Sequence, residues 1–205
     1  MMMSNVIIRP VVSKQFCSTS REVFTVRKRP CAVNGGGFVV YMGSEEIFRM
    51  EGCGAHVKDS ALLKDAQSTP ILSIKRKVGV VQVFSLHKQW KGFVRDEIDG
   101  HEKPIFKASS GSSINCAENN PVKVSLVESE SKSRKGWDYE IVGSFSQRAC
   151  AIYDDSRSVV AEVSMNKEIK DATRSRDVYV VTVQAGIDHA FVFGLIAVLE
   201  KLNGE

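Results

Sequence analysis

Residues 186–205, GIDHAFVFGLIAVLEKLNGE, decide the fold, because they predict a helix that is apolar on every side. Nearly every residue at positions 190–199 is apolar, and Asp188 and Gly204 are suited to cap the two helix ends. A helix over residues 189–203 would be about 22 Å long, whereas a membrane span needs about 20 apolar residues. The pattern therefore favours a helix buried inside its own protein over a transmembrane segment.

The rest of the chain alternates short apolar runs with turn signals, which predicts about ten to twelve β-strands. Turns are expected at residues 35–37 and 43–45 and at Asp99-Gly100, and GVVQVFSL at residues 79–86 predicts one of the strands. A large antiparallel sheet tends to close, and a barrel of about twelve strands is too wide for its own side chains to fill. We therefore expect the C-terminal helix to occupy the lumen.

Several motifs, in order along the chain, resemble the LURP-one-related family of plants. They are VVSKQFC (11–17), LLKDAQSTPILSIKRK (62–77), SLHKQWKGF (85–93), WDYEIVGSF (137–145) and DVYVVTVQAGIDHAF (177–191). The resemblance covers residues 10–203 and implies a mainly β, Tubby C-terminal-like fold, in which twelve antiparallel strands form a closed barrel around a hydrophobic C-terminal α-helix. We expect an N-terminal arm at residues 1–20 and a single barrel domain at residues 21–205, with the central helix at about 189–203.

The composition indicates which partners and which cellular compartment to expect. The net charge of +4 is far below that of a dedicated nucleic-acid binder, so no direct nucleic-acid partner is expected. The five cysteines are scattered, without a C-x-x-C pair, and favour a reducing compartment. Residues 1–12 make a poor signal peptide. We therefore expect an intracellular, cytoplasmic protein, with membrane association or nuclear entry left open.

No pattern of catalytic or metal-ligating residues is present in the sequence. His56, His87, His101 and His189 form no H-x-x-x-H pair, and the chain has neither a nucleophile elbow nor a phosphate-binding loop. Cys150 lies between two alanines of a predicted strand and is interpreted as a small core residue. The sequence therefore predicts a non-enzymatic protein without a catalytic residue, cofactor or metal.

Two basic clusters are the candidate binding residues. In LSIKRKV, residues 72–78, strand alternation sends Lys75 and Lys77 to the outer face, away from the side of Leu72 and Ile74. The stretch VRKR supplies the second cluster: Arg27, Lys28 and Arg29. Tubby proteins bind phosphoinositide head groups through basic strand residues, so the resemblance implies a site for phosphoinositides or an anionic membrane. A solvated strand face is the alternative interpretation.

The resemblance also implies a role. Family members are linked to basal defence in plants, which predicts a non-enzymatic interaction or signalling module with protein partners still to be identified. The alternative is a lipid-handling protein of the phospholipid scramblase type, since scramblases are thought to share the fold. The cysteine-rich palmitoylation segment and the calcium-binding stretch of scramblases are not found in this sequence.

Overall fold

The structure is a computed structural model, and it describes residues 6–30, 32–33, 35–53, 59–77, 89–95, 100–111, 121–128, 136–168 and 176–203. After a 3-10 turn at Lys14–Phe16, these ranges contain twelve strands and the C-terminal helix α1 (His189–Asn203). The strands in chain order are β1 (Glu22–Arg29), β2 (Gly37–Met42), β3 (Glu45–Glu51), β4 (Ser60–Asp65), β5 (Pro70–Arg76), β6 (Gln89–Arg95), β7 (Glu102–Ser110), β8 (Val122–Leu126), β9 (Tyr139–Ser144), β10 (Ala149–Asp154), β11 (Val159–Met165) and β12 (Val178–Val183).

The strands form a closed antiparallel barrel in which each strand pairs with its neighbours in the chain, and β1 pairs with β12 to complete the circle. The predicted closed barrel is thus confirmed. The turn at residues 43–45 joins β2 to β3, and Gly100 lies between the paired strands β6 and β7. The predicted strand at residues 79–86 and Asp99 lie outside the described residues.

Strand alternation separates an apolar inner face from a polar outer face. In β5, the side chains of Leu72 and Ile74 are buried inside the barrel. Those of Ser73 and Lys75, which alternate with them along the strand, point outward. The inward side chains of all twelve described strands join one hydrophobic core together with α1. The wide lumen predicted from the strand number is therefore filled by the protein itself.

Helix α1 is buried on every side, from His189 to Lys201. The Phe193 ring lies 5.3 Å from the ring of Phe24 and 5.7 Å from that of Phe48, while the Phe191 ring lies 5.4 Å from that of Phe106. Burying one such side chain stabilises the fold by about 1.5–3 kcal/mol. The all-round apolarity of the helix is thus explained by its place in the lumen.

A glycine brings the helix close to β5. A Cβ atom at Gly194 would lie 2.5 Å from Cδ2 of Leu72, closer than any real contact of this kind. The missing side chain lets the helix backbone pack directly on the inner face of β5. The strand that carries Lys75 on its outer face is therefore supported from inside by α1.

The N-terminal end of α1 is held by one buried carboxylate, that of Asp188. Its Oδ1 accepts a hydrogen bond from the backbone N–H of Phe191 at 3.1 Å, which confirms the predicted N-cap. Its Oδ2 accepts hydrogen bonds from the backbone N–H groups of Val11, Val12 and Ser13, at 3.0, 2.7 and 3.0 Å. The helix and a segment near the other end of the chain therefore share one acceptor.

That segment, residues 6–18, is called the strap. The Arg9 guanidinium lies 2.8 Å from the Asp154 carboxylate, and the Arg9 backbone N–H donates to the carbonyl oxygen of Gly186 at 2.8 Å. The N–H of Gly186 in turn donates to the carbonyl oxygen of Ser18 at 2.7 Å. The strap thus lies against the loop that enters α1. The division into an arm at residues 1–20 and a domain at residues 21–205 stays a prediction.

The C-terminal end of α1 is held by side-chain charges. Oε1 of Glu200 accepts a hydrogen bond from Nη2 of Arg148 at 3.2 Å and from the Tyr179 hydroxyl at 3.4 Å. Oε2 of Glu200 lies 3.1 Å from Nζ of Lys28, and the Arg148 guanidinium stacks 4.0 Å from the centre of the Tyr179 ring. Gly204, the predicted C-cap, lies outside the described residues.

Candidate functional site

The outer face of β5, β6 and β7 carries a row of lysines. Lys75 lies directly opposite Lys91 in the sheet register, and Lys91 lies directly opposite Lys107. Neighbouring strands are about 4.8 Å apart, so the three side chains leave the sheet along a line about 10 Å long. Like charges that face each other across strands destabilise a sheet. The row therefore concentrates positive charge at a cost to the stability of the fold.

Two more lysines extend this charged surface. The backbone N–H of Lys77 donates to the carbonyl oxygen of Gln89 at 2.9 Å, which places Lys77 beside the start of β6. Lys123 of β8 is exposed and lies in register with Ser109. We call the five residues the lysine face: Lys75, Lys77, Lys91, Lys107 and Lys123.

Two serine side chains stand next to these lysines, and one of them adds a neutral hydrogen-bond donor. Ser60 is exposed and in register with Lys75, whereas Ser125, in register with Lys107, already donates its hydroxyl to the carbonyl oxygen of Gly136 at 3.1 Å. A hydroxyl group can donate to a phosphate oxygen beside an ammonium group. The surface therefore combines the two kinds of donor that a phosphate group can accept.

At one edge of the lysine face, Glu140 of β9 lies in register with Lys123. A second acidic residue, Glu102 of β7, reaches into the face itself. Its carboxylate pairs with the Lys75 ammonium group and accepts a hydrogen bond from the Ser73 hydroxyl at 3.1 Å. The hydrogen bond from Lys75 is the main reason why the pKa of Glu102 lies below its ordinary value of 4.5. Among the described side chains, neither Lys91 nor Lys107 has a carboxylate partner.

A shallow depression of about 380 Å³ lies at the β4 side of the lysine face. Its lining includes Ser60, Leu62, Ser73, Lys75 and Glu102. The depression is open to solvent, and its polar groups come from four strands, with the carboxylates of Glu51 and Glu102 beside the ammonium group of Lys75.

The second predicted cluster is divided by strand alternation. Lys28 follows Phe24 and Val26 on the inner side of β1, and its ammonium group pairs with Glu200 of α1. Arg27 points outward, and its guanidinium lies 5.2 Å from the centre of the Tyr41 ring. Arg29, at the end of β1, is half-buried.

The two predicted basic clusters do not form one surface. Three strands, β2 to β4, separate Arg27 on β1 from Lys75 on β5. At the usual strand spacing this is roughly 20 Å along the sheet. The structure instead brings Lys75 together with Lys91, Lys107 and Lys123, which the sequence analysis did not select. Alternation could have shown that these three face outward, but not that they adjoin Lys75.

The described thiols are poorly suited to nucleophilic chemistry. Cys150 belongs to the hydrophobic core, as predicted, and burial raises the pKa of its thiol to about 12. Burial likewise raises the pKa of Cys53 to about 12. A thiol with such a pKa is protonated at neutral pH, whereas the thiolate is the reactive form.

In the described part of the chain, no group of three or more His, Cys, Asp or Glu side chains is placed to hold a metal ion. His189 is buried at the start of α1, 4.8 Å from the ring of Phe24. His56 and His87 lie outside the described residues. Among the described helices, none has the length and apolarity needed to cross a bilayer.

A closed twelve-strand barrel, filled by its own C-terminal helix, defines the class of helix-filled β-barrels. The sequence profile described as LURP-one-related matches residues 22–200. The chain belongs to the LURP-one-related family, which confirms the resemblance drawn from its motifs.

Individual relatives cover almost the whole chain. LURP-one-related 6 of Arabidopsis thaliana is 37% identical over 200 residues, which cover 97% of this chain and 98% of the relative. LURP-one-related 16 of the same plant is 35% identical over 206 residues, with 97% and 94% covered. An X-ray structure of a protein from Arabidopsis thaliana is similar, with a TM-score of 0.64, 20% identity and coverage of 95% and 98%. This last likeness supports the fold alone.

Proposed function

We propose that this protein is a non-enzymatic interaction module that binds anionic membrane surfaces, phosphoinositides included, through the lysine face. The observation that carries the proposal is the register of Lys75, Lys91 and Lys107 on three neighbouring strands. Sequences usually avoid such like-charge rows, and departures of this kind are expected at functional sites. An anionic ligand would relieve the repulsion that the bare row creates.

The expected affinity is modest. Each basic residue near an anionic membrane contributes about 1 kcal/mol, so five lysines contribute at most about 5 kcal/mol. Binding of this strength is reversible and weakens with added salt. It suits a module that visits a membrane and responds to a change in lipid composition, rather than one that is permanently anchored.

The biological setting in the proposal comes from the family. Members of the LURP-one-related family are linked to plant defence. We therefore propose a role in defence signalling, with protein partners to be identified. Anionic lipids are concentrated in the cytoplasmic leaflet of membranes, which fits a cytoplasmic location. The filling of the lumen by α1 favours binding at the outer surface over the scramblase-type passage of a lipid through the barrel.

Vesicle flotation tests the proposal. The wild-type protein should float at low salt with vesicles that contain phosphatidylserine and bisphosphorylated phosphatidylinositol, and not with neutral phosphatidylcholine vesicles. Lys75→Glu/Lys77→Glu should reduce the affinity about 30-fold or more, since two favourable contributions of about 1 kcal/mol are lost.

The control variant is Arg27→Glu/Arg29→Glu, which changes the net charge equally on a different part of the barrel. An equal loss in both variants would assign the effect to net charge and remove the lysine face from the proposal. Failure of the wild-type protein to bind anionic vesicles would overturn the proposal itself.

A further inference from the structure

The inference rests on the proposed function and concerns the regulation and ligand of the same site. We propose that Glu102 is a built-in counter-ion that occupies Lys75 in the free protein and is displaced by a ligand with two neighbouring phosphate groups. One phosphate binds Lys91 and Lys107, and the second competes with Glu102 for Lys75.

Glu102 reaches across the sheet and occupies Lys75 in the free protein. Glu102 belongs to β7, yet its carboxylate reaches past β6 to contact Ser73 and Lys75 on β5. The Lys75 ammonium group also lies 5.5 Å from the centre of the Phe93 ring. Lys75 is therefore already occupied, whereas Lys91 and Lys107 present the part of the row without a carboxylate partner among the described residues.

The ion pair between Lys75 and Glu102 is weak enough for a phosphate group to displace it. The side chains of Lys75 and Glu102 are each 44% exposed. An ion pair so open to water holds its partners loosely. A phosphate monoester carries a charge of about −1.5 to −2 at pH 7 and three acceptor oxygens, so it competes well against one carboxylate. The pair can therefore open without disturbing the barrel.

The spacing of the row defines the ligand class. Lys75 and Lys91 leave neighbouring strands, about 4.8 Å apart, and so do Lys91 and Lys107. Phosphates on adjacent carbons of a polyol ring are separated by a similar distance and can contact the row at two points. A ligand with one phosphate can satisfy Lys91 and Lys107 but gains little from Lys75.

The experiment measures binding of two kinds of probe to the full chain. Vesicles of phosphatidylcholine with a small fraction of bisphosphorylated phosphatidylinositol test the lipid as the source of the phosphates. Soluble inositol phosphates, with two phosphates on adjacent or on separated ring carbons, test the free head group. The adjacent form should bind several-fold more tightly than the separated form, and equal binding would overturn the assigned ligand class.

Glu102→Gln tests the counter-ion. It should raise the affinity for adjacent phosphates about fivefold, the equivalent of one additional basic residue. The matched control is Glu128→Gln, which removes the same charge from a carboxylate that pairs with Lys103 instead. Equal affinities for Glu102→Gln and Glu128→Gln would overturn the inference, while binding by the wild-type protein would leave the proposed function standing.

A variant without the Lys75 ammonium group separates the specific pairing of Glu102 with Lys75 from the effect of net charge. In a Lys75→Gln variant, the further change Glu102→Gln should give no gain, because the group that Glu102 occupies is already absent. A gain that persists in this background would contradict the counter-ion role. Lys107→Gln should weaken binding about fivefold and leave the melting temperature unchanged or higher, since it relieves repulsion with Lys91.

Discussion

The two ends of α1 lie inside the same barrel but are held by different chemistry. At the N-terminal end, the Asp188 carboxylate accepts four backbone N–H groups, three of them from the strap. At the C-terminal end, the Glu200 carboxylate is satisfied by the side chains of Arg148, Tyr179 and Lys28.

The difference lies in which groups can be replaced. Backbone N–H groups remain whatever side chain is introduced, proline excepted, so the N-terminal end needs an acceptor at position 188. Side-chain partners can be exchanged together for apolar groups, so the C-terminal end can be rebuilt. We therefore expect substitutions at the two ends to respond differently to compensation.

The largest effect is expected at Asp188. The variant Asp188→Ala leaves four N–H groups without their acceptor at a buried position and should lower the free energy of unfolding by about 4 kcal/mol. Asp188→Asn keeps one acceptor oxygen but loses the charge, and should cost about 2 kcal/mol. Denaturant unfolding measures both. A loss below about 1 kcal/mol for Asp188→Ala would contradict the shared-acceptor arrangement.

The C-terminal end should show compensation. Glu200→Leu leaves the buried Arg148 guanidinium without its carboxylate and should cost about 3 kcal/mol. The double variant Arg148→Met/Glu200→Leu should be less destabilised than Glu200→Leu alone, because the unpaired buried charge is gone. Denaturant unfolding of the wild type, Arg148→Met, Glu200→Leu and the double variant gives the coupling energy. Additive losses would show that the pair is not a coupled unit.

The fit of the strap is tested at Gly186, whose φ angle is +82°. A Cβ atom there would lie 2.2 Å from the carbonyl oxygen of Ile7, so Gly186→Ala should cost about 3 kcal/mol through both strain and displacement of the strap. The control is Gly43→Ala, with a φ angle of +62° and no atom within 4 Å, which should cost about 1 kcal/mol. Equal thermal shifts for the two variants would argue against a tightly packed strap.

The smallest effect is the pH response of the N-terminal end. Burial lowers the pKa of His189 below its ordinary value of 6.5, against a smaller opposing effect of the Asp188 and Glu22 carboxylates. Just below pH 6.5 the unfolded chain binds more protons than the folded one. The stability that depends on neutral His189 is therefore fully present above this pH and is lost as the pH falls below it.

His189→Phe should therefore flatten the stability profile below pH 6.5. Thermal melts at several pH values measure the profile. An unchanged slope in His189→Phe would assign the response to other groups.

Local sequence patterns predicted those features of the fold that depend on neighbouring residues. Asp188 could be predicted as the N-cap because a cap needs only the carboxylate and the first helical turn. Its bonds to the strap could not, because Ser13 and Asp188 are 175 residues apart in the chain. The helix in the lumen followed from apolarity and length, which need no knowledge of partners.

The candidate site was only partly predictable for the same reason. Alternation correctly sent Ser73 and Lys75 outward. The meeting of Lys75, Lys91 and Lys107 depends on strand register, and a bulge between Gly92 and Phe93 shifts the pairing of β6 with β7. Spacing along the chain does not reveal such a shift.

The sequence by itself determined the strand-rich class, the apolar helix and the family, because periodicity, caps and ordered motifs lie within short stretches of chain. Only the tertiary structure decided that Lys28 faces Glu200 and that Lys75 adjoins Lys91 across β5 and β6. The physical reason is that closing the barrel fixes the register of every strand at once, and register decides which outward-facing charges become neighbours.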